Sequence, residues 1–323
     1  MDIARIEAAA ARLEGHVRRT PLLSSHALDA IAGRRVLVKA ECLQHTGSFK
    51  ARGAWAALSA LPEEVRANGV IAFSSGNHAQ GVARAAQAFG VPAVIIMPSD
   101  APALKIEGTR ALGAEVVLYE RAGGSREELG ARLAAERGLT LVKPYDEPEV
   151  IAGQATCGLE IAEQVAEEGV READLLTCCG GGGLTAGIAL AVEAKAPGLC
   201  VRPVEPEGYD DTARSLAAGR RLRNEVEAGG LCDAILTPTP GEITFPVLAR
   251  LCGPGLVVNE AEVLRSMALA ARHLKIVAEP GGVVALAAAL FRGDEIEGDA
   301  VICTVSGGNA DPKVLARAMA LEV

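Results

Sequence analysis

The chain has 323 residues, a formal net charge of −9 and a hydrophobic content of 50%, enough for about two domains with sizeable cores. The acidic balance argues against a nucleic-acid backbone or an anionic membrane as the main partner, yet leaves room for a small anion held by local amide dipoles. Eight cysteines without a CxxC pair argue against a thiolate zinc centre and read as reduced, buried thiols, which suits a cytoplasmic protein.

The first residues, "MDIARIEAAAARLEGHVRR", carry charges throughout and lack the apolar core of a signal peptide; they read as a helix capped by Asp2. A strand, "RRVLVKAE" (34–41), leads into the loop "HTGSFKARG" (45–53). A rhythmic block follows. "GVIAFSS" (69–75) is a strand and "NHAQGVARAAQAFG" (77–90) a helix. "PAVIIMP" (92–98) is a strand and "APALKIEGTRALG" (101–113) a helix. "AEVVLYE" (114–120), "SREELGARLAAERG" (125–138) and "LTLVKPY" (139–145) repeat the strand, helix, strand order. The alternation resumes with the strand "ADLLTCC" (173–179), a glycine loop, the helix "LTAGIALAVEAKA" and the strand "CVRPVEP" (200–206). It closes with the strand "AVICTVSGGN" (300–309) running into a loop, and the helix "DPKVLARAMAL". Such alternation predicts parallel βαβ units in two open sheet systems, with 69–145 as a compact insert. The uncharged run 175–192 is nearly long enough to span a bilayer, but four consecutive glycines, each costing about 1 kcal/mol in a helix, make strand, loop and helix the better reading.

Ligands of open parallel sheets bind at the carboxyl ends of strands. That rule selects 45–50, 74–81, 180–183 and 306–309. In the first, Lys50 is one of seven lysines against 25 arginines, and lysine, unlike arginine, can lose its proton near neutral pH. Lys50 is therefore the candidate nucleophile, with a solvated surface amine as the competing reading. In "CCGGGGLTAG" (178–187) the amides of Gly180, Gly181, Gly182 and Gly183 can converge on a phosphate at a helix N-terminus. Gly181, Gly183 and Ala186 also fit a GxGxxA dinucleotide fingerprint with Glu205 as the ribose acid, so an NAD-dependent dehydrogenase is the rival from another class. "SSGNHAQG" (74–81) suits a carboxylate, or is simply a cluster of helix caps. Ser306 in "SGGN" could exchange a hydrogen bond with a ring nitrogen. Glu205, Asp210 and Asp211 in "VEPEGYDD" (204–211), with a backbone carbonyl, are hard oxygen ligands for Mg²⁺ or Ca²⁺, or a solvated acidic turn. No HxxxH, HxH or GxSxG pattern occurs, which leaves a serine hydrolase without support.

A nucleophilic lysine and a phosphate cradle are together the two fixed needs of pyridoxal phosphate. The chain resembles the tryptophan-synthase-β-type (fold type II) pyridoxal phosphate enzymes, and within them the serine/threonine dehydratase and serine racemase branch. "RTPL" (19–22), "GSFKARGA" (47–54), "SSGNHAQG", "EVIAGQATCGLEI" (149–161), "GGGGL" (180–184), "VEPEGYDD", "EPGG" (279–282) and "SGGN" carry the resemblance over nearly the whole length. It implies an α/β architecture of two open, twisted, mostly parallel sheet domains. Residues 1–52 and 148–323 would form the large cofactor domain and 53–147 the small one.

The resemblance further implies that Lys50 carries the cofactor and that Gly180 to Gly183 bind its phosphate. Asn77 would bond the phenolic oxygen and Ser306 face the pyridine nitrogen. Ser75 would serve as a proton donor on the opposite face, and Glu205, the carbonyl of Tyr209 and Asp211 would hold the divalent cation. Arg126 matches a position near the substrate carboxylate. Cys179 and Tyr145 depart from the usual pattern, and Tyr145 bears on substrate choice. The implied reaction is loss of the β-hydroxyl from threonine or serine to give a 2-oxo acid and ammonia. Alternatives are a racemase of the serine racemase type, a 3-hydroxyaspartate or phenylserine dehydratase, and a binding or regulatory protein that keeps the cofactor site. The expected partner is a small amino acid, without nucleic acid or membrane, in a homo-oligomer (dimer or tetramer). With no C-terminal regulatory domain expected, feedback by isoleucine is not expected either.

Overall fold

The computed structural model describes residues 2–74, 76–101, 103–120, 126–226 and 229–322. The strands are β1 (Leu22–Leu23), β2 (Arg35–Ala40), β3 (Val70–Phe73), β4 (Ala93–Pro98), β5 (Glu115–Tyr119), β6 (Thr140–Leu141), β7 (Ala173–Cys178), β8 (Leu199–Pro206), β9 (Leu256–Val258) and β10 (Ala300–Val305). The helices are α1 (Ile3–Leu13), α2 (His26–Ala32), α3 (Lys50–Ala60), α4 (Glu63–Arg66), α5 (Asn77–Phe89), α6 (Ala103–Ala111) and α7 (Arg126–Arg137), followed by α8 (Pro148–Glu167), α9 (Gly183–Lys195), α10 (Asp211–Ala218), α11 (Thr244–Leu251), α12 (Glu260–Leu269), α13 (Pro280–Phe291) and α14 (Pro312–Met319). Among the described residues no helix is long and apolar enough to cross a membrane.

Two sheets form. One has the order β1-β2-β10-β7-β8-β9 and the other β5-β4-β3-β6. Every pairing is parallel except β1 with β2, which is the α/β architecture that the alternating pattern predicts. Helices cover both faces of the inner strands, so these read as continuous apolar runs; β4 is buried at all six positions. The core of the six-stranded sheet closes on α13, which is buried from Pro280 to Leu290, as a helix apolar on all sides must be. A second core joins the four-stranded sheet to α3 and α5. Asp2 caps α1 by accepting from the Arg5 amide at 3.0 Å.

One expected strand is cut short. The run 139–145 pairs only at Thr140 and Leu141. Beyond it Pro144 has no N–H to offer a ladder, and the chain turns so that Asp146 accepts from the amides of Glu242, Ile243 and Thr244 at the start of α11. Asp211, read as part of a loop, is the first residue of α10.

Four charged side chains meet between β2, α3 and α8, three of them fully buried and Glu160 partly exposed. Arg52 and Lys39 are both 0% exposed. Arg52 donates to Glu41 through Nε and Nη2, each at 2.8 Å, and to Glu160 through Nη1 and Nη2 at 2.7 and 2.9 Å. Lys39 Nζ donates to Glu160 Oε2 at 2.5 Å, the Thr20 carbonyl at 2.8 Å and Gln164 Oε1 at 2.8 Å. Burial pushes the Glu41 carboxyl up, but Arg52 and Lys39 outweigh it and leave its pKa lowered. Two cations thus face two carboxylates with their hydrogen bonds made, the arrangement that lets buried charge persist. Arg52→Ala strands the buried Glu41 carboxylate, while Glu160 keeps Lys39, and is expected to cost about 3–5 kcal/mol. Urea unfolding measures it, and a loss below about 1 kcal/mol would contradict the account.

Candidate active site

The carboxyl ends of β2, β3, β7 and β10 open onto one cavity of about 420 Å³. Lys50, Asn77, the loop Gly180–Gly183 and Ser306 all line it, so four segments chosen by the strand-end rule meet in space. Ser75 lies outside the described residues, as does the side chain of Arg126.

Lys50 opens α3. Its Nζ donates to the Pro144 carbonyl at 2.6 Å and stands 5.0 Å from the centre of the Phe49 ring. Burial draws its pKa down to about 8, and a helix N-terminus disfavours a cation in the same direction. The residues before it are pinned to the loop after β10. Ser48 bridges Gly307, the Phe49 amide donates to the Ser306 carbonyl at 3.1 Å, and the Gly308 amide donates to the Gly47 carbonyl at 2.8 Å. Thr46 is held at φ 57°, a left-handed conformation uncommon for a β-branched residue.

The glycine loop joins β7 to α9 and leaves no room for side chains. A Cβ at Gly181 would lie 2.3 Å from the Tyr145 ring, and Gly182 sits at φ +89°, where L-residues are strained. The loop is braced from α11, because Thr244 Oγ1 donates to the Gly181 carbonyl at 2.7 Å. Its amides, with the start of a 13-residue helix behind them, form an anion cradle.

Asn77 begins α5 behind Gly76, and no side chain caps that helix; Ser74 Oγ instead accepts from the Gly76 amide at 3.1 Å. Asn77 Nδ2 donates to Glu279 Oε1 at 2.5 Å, and Asn77 Oδ1 accepts from Asn309 Nδ2 at 2.7 Å. His78 is buried with Nε2 2.9 Å from the Val142 carbonyl. Burial and then the Lys50 charge pull its pKa down to about 3, so the imidazole is neutral and offers no cation to a carboxylate. Ser306 is 3% exposed, its amide donates to the Gly282 carbonyl at 2.9 Å, and its hydroxyl neighbours the Cys178 thiol. Glu279, quoted in the sequence only as part of "EPGG", also lines the cavity, and burial pushes its carboxyl up to about 7.

The acidic segment lies elsewhere. Glu205 accepts from the Thr212 and Ala213 amides at 3.0 and 2.8 Å. Each oxygen is thus turned to the start of α10 and away from the cavity lined by the glycine loop, which does not suit the ribose role of the dinucleotide reading. Burial, then the Asp211 charge, pushes its pKa well above the usual carboxylate range. Asp211 Oδ1 accepts from Asn224 Nδ2 at 2.6 Å, while Oδ2 is buried without a partner; burial moves that carboxyl up to about 7. Among the described residues no group of three or more His, Cys, Asp and Glu side chains is arranged to hold a metal. Two buried carboxylates with an orphaned oxygen are nevertheless compatible with a hard cation that takes a backbone carbonyl as a further ligand.

Residues 13–308 match the family model described as pyridoxal-phosphate dependent enzyme. The chain is 44% identical over 303 residues to an L-threo-3-hydroxyaspartate ammonia-lyase of a Pseudomonas species, covering 94% of this chain and 93% of that one. Among solved structures it is similar to a threonine deaminase of T.th., with TM-score 0.90, 45% identity and coverage of 96% and 99% of the two chains. It is likewise similar to maize serine racemase, with TM-score 0.90, 36% identity and coverage of 98% and 96%.

The lowered basicity of Lys50 is directly testable. Labelling by a small aldehyde and borohydride, read by peptide mass spectrometry, is expected to reach half its maximal rate at Lys50 near pH 8. Exposed lysines are expected to need about pH 10. A Lys50 profile superimposable on theirs would contradict the buried-amine geometry.

Proposed function

The chain belongs to the pyridoxal-phosphate dependent enzyme family and is an enzyme of the ammonia-lyase type, and from that premise we propose that it dehydrates a 3-hydroxy amino acid such as threonine or serine to a 2-oxo acid and ammonia. The observation that carries this reading is the desolvated Lys50 amine, which shares one cavity with the glycine cradle, Asn77 and Ser306. In this reading the large domain comprises residues 1–52 and 148–323 and the small domain 53–147.

Bound pyridoxal phosphate supplies an aldehyde for amines and a sink for the electron pair left when the α-proton departs. The amides of Gly180–Gly183 and the α9 terminus bind the phosphate. Asn77 would donate to the phenolic oxygen, and Ser306 would face the pyridine nitrogen. Lys50 would anchor the cofactor, and an amine that burial draws down to about 8 in this structure is suited to taking the α-proton at neutral pH. A serine hydroxyl, unlike an aspartate, does not hold the pyridine nitrogen protonated. The weaker electron demand that follows would favour loss of the β-hydroxyl over transamination. Racemisation of serine would further require a proton donor on the opposite face, the role proposed for Ser75.

A second substrate class has its own support. Lys143 and Lys105 line the same cavity, Lys105 paired there with Asp233 at 2.8 Å, and Lys143 with that exchangeable pair suits a substrate with a second carboxylate, such as 3-hydroxyaspartate. Incubation of the holoenzyme with threonine, serine, threo-3-hydroxyaspartate and phenylserine, with keto acid and ammonia measured, is expected to give both products from at least one and neither from alanine. Interconversion of serine enantiomers without keto acid would replace dehydration by racemisation.

Glu205, the Tyr209 carbonyl and Asp211 are proposed to hold Mg²⁺ or Ca²⁺. A chelator is expected to lower the melting temperature, added Mg²⁺ or Ca²⁺ to restore it, and Asp211→Ala to abolish both responses. A melting temperature indifferent to chelator and metal would remove the cation from the account.

A further inference from the structure

Asn77 is held by a hydrogen-bond relay whose direction is fixed at one end by the backbone. The Thr46 carbonyl can only accept, so Asn309 must present its nitrogen there, at 2.8 Å. The second N–H of the same amide reaches Asn77 at 2.7 Å, which obliges Asn77 to present Oδ1. Asn77 Nδ2 is thereby turned to Glu279 Oε1, 2.5 Å away. One N–H of Asn77 is left over, and Asn77 lines the cavity.

Several local features serve this arrangement. Thr46 adopts its left-handed backbone where its carbonyl meets Asn309. Glu279 is the N-cap residue of α13 but does not cap that helix with its side chain; it reaches Asn77 instead. Gly307 makes that reach possible, because a Cβ there would lie 1.9 Å from Glu279 Oε1 and 3.2 Å from Asn77 Nδ2. Glu279 is 4% exposed, so its acceptor is shielded from water.

We propose that Asn309 and Glu279 are positioning residues that lock the Asn77 carboxamide in a single orientation, so that its remaining N–H is aimed at the phenolic oxygen of pyridoxal phosphate. The inference rests on the role proposed above for Asn77. It adds two residues that touch neither phosphate nor substrate in that reading, and ties the Lys50 loop, α5 and α13 into one unit around the cofactor ring.

A double-mutant cycle on the full chain separates this from simple loop support. The dissociation constant of pyridoxal phosphate and the absorption maximum of the bound form are measured for the wild type, Asn309→Ala, Asn77→Ala and the double variant. Asn309→Ala is expected to weaken binding about fivefold, the worth of one hydrogen bond, and to shift the band. In the Asn77→Ala background the same change is expected to weaken binding less than twofold. Equal losses in both backgrounds would show that Asn309 only supports its loop and would overturn the proposal. A wild type whose affinity and band are unmoved by Asn77→Ala would overturn the role of Asn77 itself. Where Asn309 variants fail to fold, Glu279 gives the same answer. Glu279→Gln keeps an oxygen that accepts from Asn77 and is expected to bind within twofold of wild type, while Glu279→Ala loses about fivefold; equal affinities of the two variants would overturn the relay.

Discussion

The buried cluster of Arg52, Lys39, Glu41 and Glu160 is the constraint on which the active site depends. Arg52 lies two residues after Lys50 on the same first turn of α3. Its guanidinium is a planar fork with fixed donor directions, engaged at once by Glu41 beyond β2 and by Glu160 on α8. A dry interior tolerates these charges only with every partner in place, so the helix that starts at Lys50 has one seat against the sheet. The backbone bonds from residues 47–49 to 306–308 hold the other side of the lysine. Lys50 is therefore rooted by charge on its C-terminal side and by backbone pairing on its N-terminal side. An amine that must meet a reacting carbon gains from being held this way.

Much of this site is legible in the sequence because parallel sheets place function at strand ends. The residue types at those ends, a rare lysine, four glycines, an asparagine and a serine, mark where an amine or an anion could be handled, and their separate roles come from the family resemblance. Lys50, Asn77, Gly180–Gly183 and Ser306 indeed border a single cavity. The α/β architecture is legible for the same reason, since strand and helix periods are local. The helices from α10 to α13 are harder to read because the βα rhythm lapses there, and β6 is shorter than its apolar run because Pro144 and Asp146 serve a turn instead.

What the sequence hides is long-range pairing of polar groups. Arg52 and Glu160 are 108 positions apart, and charged residues are exposed by default. Nothing in "SFKARG" separates an arginine that is 0% exposed from one on the surface. Glu279 and Asn309 stand inside quoted motifs, yet their contacts with Asn77 span 202 and 232 positions. The hint that remains in the sequence is Lys39, a lysine that follows the apolar run Val36–Val38 of β2 and needs a buried anion to be there at all.

The electrostatics of the cavity also bear on why a chain with 25 arginines has glycine at its proposed phosphate cradle. No arginine lines the cavity among the described residues. A guanidinium near the proposed phosphate would bind it strongly, but its full charge would act on Lys50 as well, and a like charge lowers the basicity of an amine that burial has already brought to about 8. Amide dipoles avoid this conflict. Their field is concentrated at the helix terminus and fades within a turn, so the anion is held while Lys50 keeps enough basicity to take a proton. The neutral His78 and the weakly acidic Glu279 fit the same pattern. The walls around the proposed ring site offer directed hydrogen bonds, and Lys50 is the amine that burial draws toward neutral pH there.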